Sequence, residues 1–275
     1  MRTWLFVPGH DARKLHSALR SAADVVIIDW EDAVAEARKA EARKLTRAVL
    51  TSSPTRRCIV RVNNVQHPGF AADLAALRDL PIAGVMLPKV GAAAEVITAA
   101  CETSVPIIPI LESAQGIERA FEIAQAHPRI ERLSFGPLDF LADMGAPWTP
   151  DNPAVQYARV RVALANRAAG LAGAIDGIYP RLDDRDGLRR DAAAARAVGY
   201  AGKMTIHPAQ IAVVREAFSP TPEEIAQADA IMRAFEQAQA RGEAAIRLDD
   251  AFIDPPVVRW AEQVLALRDA DAAET

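Results

Sequence analysis

Residues 105–121 read VPIIPILESAQGIERAF. An isoleucine-rich apolar run ends in Glu112, small residues follow, and a helix-like stretch begins near Ile117. A strand that passes through a short loop into a helix is half of a βαβ unit. A lone carboxylate is costly to bury, so Glu112 at the strand's end requires a partner.

Outward from this stretch the same alternation runs along the chain. Candidate strands cover residues 3–7, 25–29, 58–63, 84–88, 105–111, 132–135, 174–179 and 202–206. Helical periodicity marks residues 12–21, 39–50, 71–77, 93–101, 117–126, 155–169, 187–198 and 209–217. Strands that alternate with helices imply right-handed crossovers and a parallel sheet. Eight such repeats within residues 1–218 predict an α/β fold, a closed (β/α)8 TIM barrel, and the length of 275 residues suits it. A doubly wound open sheet is the competing arrangement, but no GxGxxG follows the first strand.

Residues 219–275 are expected to form a C-terminal helical extension that packs on a neighbouring subunit. One long helix carries Pro222 in its first turn and Gly242 after its end. The stretch EAAIRLDDAFIDPPVV then breaks the pattern, a short final helix covers 257–267, and the terminal DAAET is expected to fray.

Hydrophobic residues make up 51% of the chain, enough for a large core, and the net charge of −4 disfavours nucleic acid and anionic membranes as partners. Short basic pairs such as Arg56-Arg57 and Arg189-Arg190 read as solvated surface. No apolar run approaches the ~20 residues of a membrane span, and no signal-peptide pattern opens the sequence. Cys58 and Cys101 have no zinc spacing and fit a reducing cytoplasm, with Cys58 a small core residue.

A barrel of this kind builds its active site at the carboxyl ends of its strands. Charge gathers there: DWEDAV (29–34), CIVRVNN (58–64), GVMLPK (84–89), IPILES (108–113), FGPLDF (135–140) and KMTIHPAQ (203–210). Alternate residues of a strand share a face. Ile108, Ile110 and Glu112 therefore form one inward row, Ile59, Arg61 and Asn63 a second, and Val85, Leu87 and Lys89 a third. Asp139 lies one βα unit beyond Glu112, so adjacent strands are expected to bring the two together. Two carboxylates without a cysteine or paired histidines suit a hard cation, Mg²⁺, with water and substrate oxygens completing its shell. Asp29, Glu31 and Asp32 are positioned to orient metal-bound waters. Arg61 offers a planar fork for a substrate carboxylate.

These motifs, together with RTWLFVPGHDARKL, VRVN, LPK, LESAQGI, GYAGKMTIHPAQI and FIDPPVVRWAEQVL, cover nearly the whole chain in one order. The ordered set resembles the citrate lyase β-subunit (CitE-like) family of the HpcH/HpaI aldolase superfamily and is similar to malyl-CoA and citramalyl-CoA lyases. The resemblance implies a TIM barrel with a C-terminal extension, a homo-oligomer (trimer or hexamer), and Mg²⁺-dependent cleavage of a citryl, malyl or citramalyl thioester to an acetyl thioester and a 2-oxo acid. By motif it implies Glu112 and Asp139 as metal ligands and Arg61 as the grip on the 2-oxo acid. It implies Arg13 at the CoA phosphates and residues 202–210, with His207 and Pro208, along the CoA arm; Lys89 and Gly136 join the substrate-binding set. Asp254 of FID matches a tail aspartate presented to a neighbouring subunit's site, a candidate acid/base. Two departures stand out: Trp30 replaces an aliphatic residue, and RLDDAFID lacks a glycine ahead of Asp254, leaving Asp249 and Asp250 as competitors for its role.

Alternatives stay open at several residues. Lys89 either bridges Glu112, contacts substrate, or forms a Schiff base. His207 reads as loop-shaping rather than metal-ligating, His10 and His16 as exposed on the first helix, and Gly9 as either a ligand approach or a tight turn. Three functions compete. One is a stand-alone CoA-thioester lyase, with a thioester hydrolase as its variant; another is a citryl-ACP lyase subunit of a citrate lyase complex. The last is a non-catalytic scaffold for metal and 2-oxo acid.

Overall fold

The computed structural model describes residues 1–52, 57–149, 151–240, 246–248 and 251–273; Arg56, Gly242, Asp249 and Asp250 lie outside them. The chain divides into two compact units, Met1–Phe218 and Ser219–Thr275.

In the first unit eight parallel strands close into a barrel in chain order. They are β1 (Thr3–Pro8), β2 (Val25–Asp29), β3 (Cys58–Arg61), β4 (Gly84–Leu87), β5 (Ile107–Leu111), β6 (Ser134–Phe135), β7 (Ile175–Asp176) and β8 (Gly202–Thr205). β1 pairs with both β2 and β8, which shuts the barrel. Helices α1 (Ala12–Leu19), α2 (Lys39–Ser52), α3 (Phe70–Leu77), α4 (Ala93–Glu102), α5 (Ala114–Glu118), α6 (Ala120–Ala124), α7 (Pro137–Asp143), α8 (Pro153–Ala168), α9 (Arg185–Ala197) and α10 (Ile211–Phe218) complete the unit. The TIM barrel expected from the alternation is therefore present.

Local differences have local causes. The single helix expected over 117–126 is two short ones, because Arg119 sits at φ −94° and ψ 12°, off the helical region. The turn of α7 is additional. Its Pro137 occupies the first helical position, where a missing N–H costs nothing.

The barrel is filled, not hollow. Trp4, Ile27, Ile59, Met86, Ile108, Ile110, Ile175 and Met204 form the inner cluster. A second layer joins the outer faces of the strands to the helices, for instance Val85 and Leu87 with Leu74 and Val96. Alternation holds on both strands, with the expected phase on β5 and the opposite phase on β4, where Met86 points inward and Val85 and Leu87 point outward. The inward row expected through Lys89 does not exist: β4 stops at Leu87, and Lys89 adopts a left-handed φ of 56°. Asn63 leaves its expected row too, since β3 ends at Arg61; its amide donates to Asp73 and accepts from Lys39.

At the far end of the barrel the Arg132 guanidinium lies 5.3 Å over the Trp4 ring and donates to the Gly173 carbonyl. On the outer side of β7 and β8, Arg159 and Lys203 meet Asp176 and Asp191 in a buried quartet with contacts of 2.5–3.0 Å. Cys58 is buried in β3, and Cys101 is exposed on α4.

The second unit consists of α11 (Pro222–Ala240), an antiparallel pair β9 (Ile246–Leu248) and β10 (Ala251–Ile253), and α12 (Pro255–Ala273). The expected final helix is longer than 257–267 and remains helical through Ala273 rather than fraying at residue 271. Ala228, Ile231, Ile253, Val258, Ala261 and Val264 make its core, and Arg268 pairs with Asp229 across the two helices. Among the described residues no helix is long and apolar enough to cross a membrane.

Candidate active site

The register of β2 against β3 sets Asp29 opposite Arg61. Arg61 donates from Nε and Nη2 to the two Asp29 oxygens at 2.8 and 2.7 Å, so most of the fork expected to meet substrate is already engaged. Its remaining Nη1 reaches Glu31 at 3.0 Å, and the guanidinium lies 4.8 Å over the Phe6 ring. Asp29 also accepts the backbone N–H groups of Glu31 and Ala33, which shapes the turn after β2. Lys39 supports that turn from outside by donating to the Trp30 and Glu31 carbonyls.

Glu31 is buried between two cations, Arg61 and the Lys89 ammonium at 2.5 Å. Burial still pushes its carboxyl above the usual range. Asp32, half exposed at the rim, meets the same ammonium at 3.1 Å; burial opposes its ionisation, but Arg61 and Lys89 outweigh it and hold the carboxyl low. Those two acids in turn raise the Lys89 ammonium against the effect of burial. A lysine kept so firmly protonated is a poor Schiff-base nucleophile. Lys89 does not bridge Glu112 through its ammonium. Its backbone N–H donates to Glu112 Oε1 at 2.7 Å instead.

Glu112 is 5% exposed, and among the described residues no lysine or arginine forms an ion pair with it. Burial, then the like charges of Asp139 and Glu31, push its carboxyl up to about 8. Glu112 and Asp139 line the same cavity of about 310 Å³, with Phe6, Asp29, Asp32, Arg61, Gly136 and Met204. Asp139 stands exposed in the first turn of α7. Gly136 caps that helix, and a side chain there would come within 2.6 Å of the Glu112 Cβ, so only glycine lets the carboxylate lie across it.

The donor set fits a hard divalent ion. A buried carboxyl without an ion-pair partner shares its cavity with a second carboxylate on an adjacent βα unit, and such an ion favours the ionised form of both. Among the described residues no group of three or more His, Cys, Asp or Glu is placed to hold a metal ion by itself, which leaves the other coordination positions to water and ligand oxygens.

Several expected site residues stand elsewhere. His207 is exposed and uses Nδ1 to cap the short turn at Pro208–Gln210, so it shapes the loop with Pro208; neither lines the cavity, whereas Met204 and Ile206 do. Arg13 is exposed on α1, outside the cavity lining. His10 lies in the turn before α1 rather than on it, while His16 is exposed within α1. Gly9 answers to Trp30: a Cβ there would meet the indole at 2.6 Å. Trp30 itself points into the helical layer, donating to Thr46, and does not line the cavity. Asp254 precedes α12, where its carboxylate accepts the Val257 N–H at 3.3 Å. Phe6 and Lys39 were not singled out in the sequence. Phe6 had a usable signal, since it sits two residues after Trp4 on the inward face; Lys39 had none.

Comparison with known proteins matches residues 2–208 to the HpcH/HpaI aldolase/citrate lyase family and residues 158–271 to a C-C bond lyase family of the TIM-barrel fold. A (3S)-malyl-CoA thioesterase of Cereibacter sphaeroides is 37% identical over 99% of this chain and 96% of its own. The mitochondrial citramalyl-CoA lyase of Rattus norvegicus is 34% identical over 97% of this chain and 85% of its own. The crystal structure of CitE from Mycobacterium tuberculosis, in complex with magnesium, acetoacetate and coenzyme A, superposes with a TM-score of 0.83 at 33% identity, covering 96% of this chain and 97% of that one. Barrel, motif order and these likenesses agree: the chain belongs to the HpcH/HpaI aldolase/citrate lyase family.

Proposed function

We propose that this protein is a Mg²⁺-dependent carbon–carbon lyase that cleaves or forms a 3-hydroxyacyl-CoA thioester of the malyl or citramalyl type, with an acetyl thioester and a 2-oxo acid as the other side of the reaction. The observation that carries the reading is the pair Glu112 and Asp139 in one cavity beside Arg61. Glu112 and Asp139 would hold the cation. Bound there, it would polarise the oxygen on the carbon undergoing cleavage and offset the charge that develops on it.

The chain's own groups account for the rest. Arg61, locked by Asp29 and backed by Phe6, would share Nη1 between Glu31 and the carboxylate of the 2-oxo acid portion. The inner cluster beneath, with Ile110 and Met204 in the cavity wall, excludes water from the reacting carbons. In cleavage the 3-hydroxyl loses its proton to a base, the bond between the second and third acyl carbons breaks, and the thioester fragment must regain a proton on carbon. We assign that proton to the Asp254 carboxyl, supplied by a neighbouring copy.

Thioester hydrolysis is the second reading, favoured by the 37% identity to a malyl-CoA thioesterase. Incubation with citramalyl-, malyl- and citryl-CoA, with and without EDTA, separates the two. A lyase releases acetyl-CoA and a 2-oxo acid and stops in EDTA, whereas a hydrolase releases free CoA thiol and an intact hydroxy acid. Glu112→Ala should abolish either Mg²⁺-dependent activity. Wild-type turnover by that variant would sink the assignment. Activity only on citryl thioesters of an acyl carrier protein would identify a citrate lyase β chain. Asp254→Asn that binds Mg²⁺ and 2-oxo acid but does not turn over would exclude a mere scaffold.

A further inference from the structure

We propose that Lys89 is a positioning residue that works through its backbone: its left-handed conformation aims a peptide N–H at Glu112, and its ammonium holds that conformation in place. The inference rests on the reading of Glu112 as a metal ligand and adds the device that orients it.

Lys89 has φ 56°, and Asp79 is the other non-glycine residue with positive φ among the described residues. That region is unfavourable for a side chain with a Cβ, so something must hold Lys89 there. Two sets of contacts do. The chain leaves the β4–β5 ladder for this residue, and the ladder resumes when Val90 N–H donates to the Ile110 carbonyl at 3.1 Å. In the gap, the Lys89 N–H turns to Glu112 Oε1 at 2.7 Å. On the other side of the same residue, Nζ reaches Glu31 at 2.5 Å and Asp32 at 3.1 Å. Glu112 is thereby pinned by one oxygen and pressed across Gly136, which fixes the direction of its second oxygen. A lysine at a barrel mouth would ordinarily be read by its charge. Here the charge is spent on acids that line the turn after β2, and the amide is what touches the candidate ligand.

The test separates backbone from charge with four variants. Lys89→Gly and Lys89→Asn remove the ammonium but accept a left-handed backbone readily, whereas Lys89→Ala and Lys89→Met remove it and do not. Two readouts are taken: the Mg²⁺ dissociation constant by calorimetry, and hydrogen exchange of the residue-89 amide in metal-free protein. Glycine and asparagine should stay within about threefold of wild type in Mg²⁺ affinity and keep the amide protected. Alanine and methionine should bind Mg²⁺ roughly tenfold more weakly and exchange faster. Grouping of all four variants together, whether impaired or intact, overturns the proposal. If the alanine or methionine variant does not fold, a tenfold loss in both glycine and asparagine variants overturns it on its own. Wild-type protein that binds no Mg²⁺ would defeat the metal reading instead, and amide exchange would still decide the backbone claim.

Discussion

Asp29 and Arg61 are register partners on neighbouring parallel strands, and their side chains meet as a two-pronged ion pair at 2.7 and 2.8 Å. The Asp29 side chain is 2% exposed and that of Arg61 13%, so this pair is set within the barrel and not on its surface. Its role is to fix the plane of the guanidinium, whose Nη1 lies on the Glu31 side. Asp29→Asn should leave Arg61 short of counter-charge and free to rotate. The expected result is a loss of about 3–5 kcal/mol in stability, with KM for the hydroxyacyl thioester rising more than kcat falls. Urea unfolding and steady-state kinetics check both, and a variant with unchanged KM would contradict the positioning role.

Gly136 is required by its neighbour. A methyl group there would approach the Glu112 Cβ to 2.6 Å, so Gly136→Ala should displace that carboxylate. Displacement by about an ångström at a reacting centre costs on the order of a hundredfold in rate. We expect a loss of that size in kcat/KM together with weaker Mg²⁺ binding by calorimetry. The same clash should lower the melting temperature, since overpacking costs about 1–3 kcal/mol.

The quartet behind β7 and β8 makes a stability prediction that leaves the chemistry aside. Lys203 and Asp176 are fully buried and pair with each other, Lys203 also with Asp191, and Arg159 with both acids. Removing one partner leaves buried charge uncompensated, so Lys203→Met should cost about 3–5 kcal/mol in chemical denaturation. A variant as stable as wild type would show that the quartet has an alternative balance.

Asp24 sets a pH dependence. Burial opposes its charge, but the N–H groups of Thr3 and Arg2 and the Arg215 guanidinium outweigh burial and hold the carboxyl below 3.8. A folded-state value below the unfolded one stabilises the protein above the unfolded value, and the contribution disappears as pH falls through the folded one. Wild type should therefore exceed Asp24→Asn by about 1–3 kcal/mol at neutral pH. The gap should close only in the acid range below 3.8. Urea titrations along a pH series test this, and a gap that closed near neutrality would have the wrong sign.

Much of the architecture was open to reading from local pattern. The eight strands are short apolar runs between helical stretches, and that periodicity survives because each strand is buried on both faces. Charged residues at strand ends, such as Arg61 and Glu112, stood out because they interrupt apolar rows. The row through Ile108, Ile110 and Glu112 holds because β5 runs straight to Leu111. The row through Val85, Leu87 and Lys89 does not: Val85 and Leu87 face the helices while Met86 faces inward, because a strand buried on both faces carries apolar residues in both phases.

Local sequence thus determined the order of elements, the barrel and most of the acids and bases around its mouth, since each follows from spacing within a dozen residues. Pairing was decided in three dimensions. That Arg61 spends its fork on Asp29, that Lys89 gives its amide to Glu112 and its ammonium to Glu31, and that Lys203 lies buried with Asp176 and Asp191 are contacts between residues far apart in the chain. The reason is physical: a charge withdrawn from water takes the counter-charge that closure of the barrel places nearest, and the chain's periodicity carries no record of that distance.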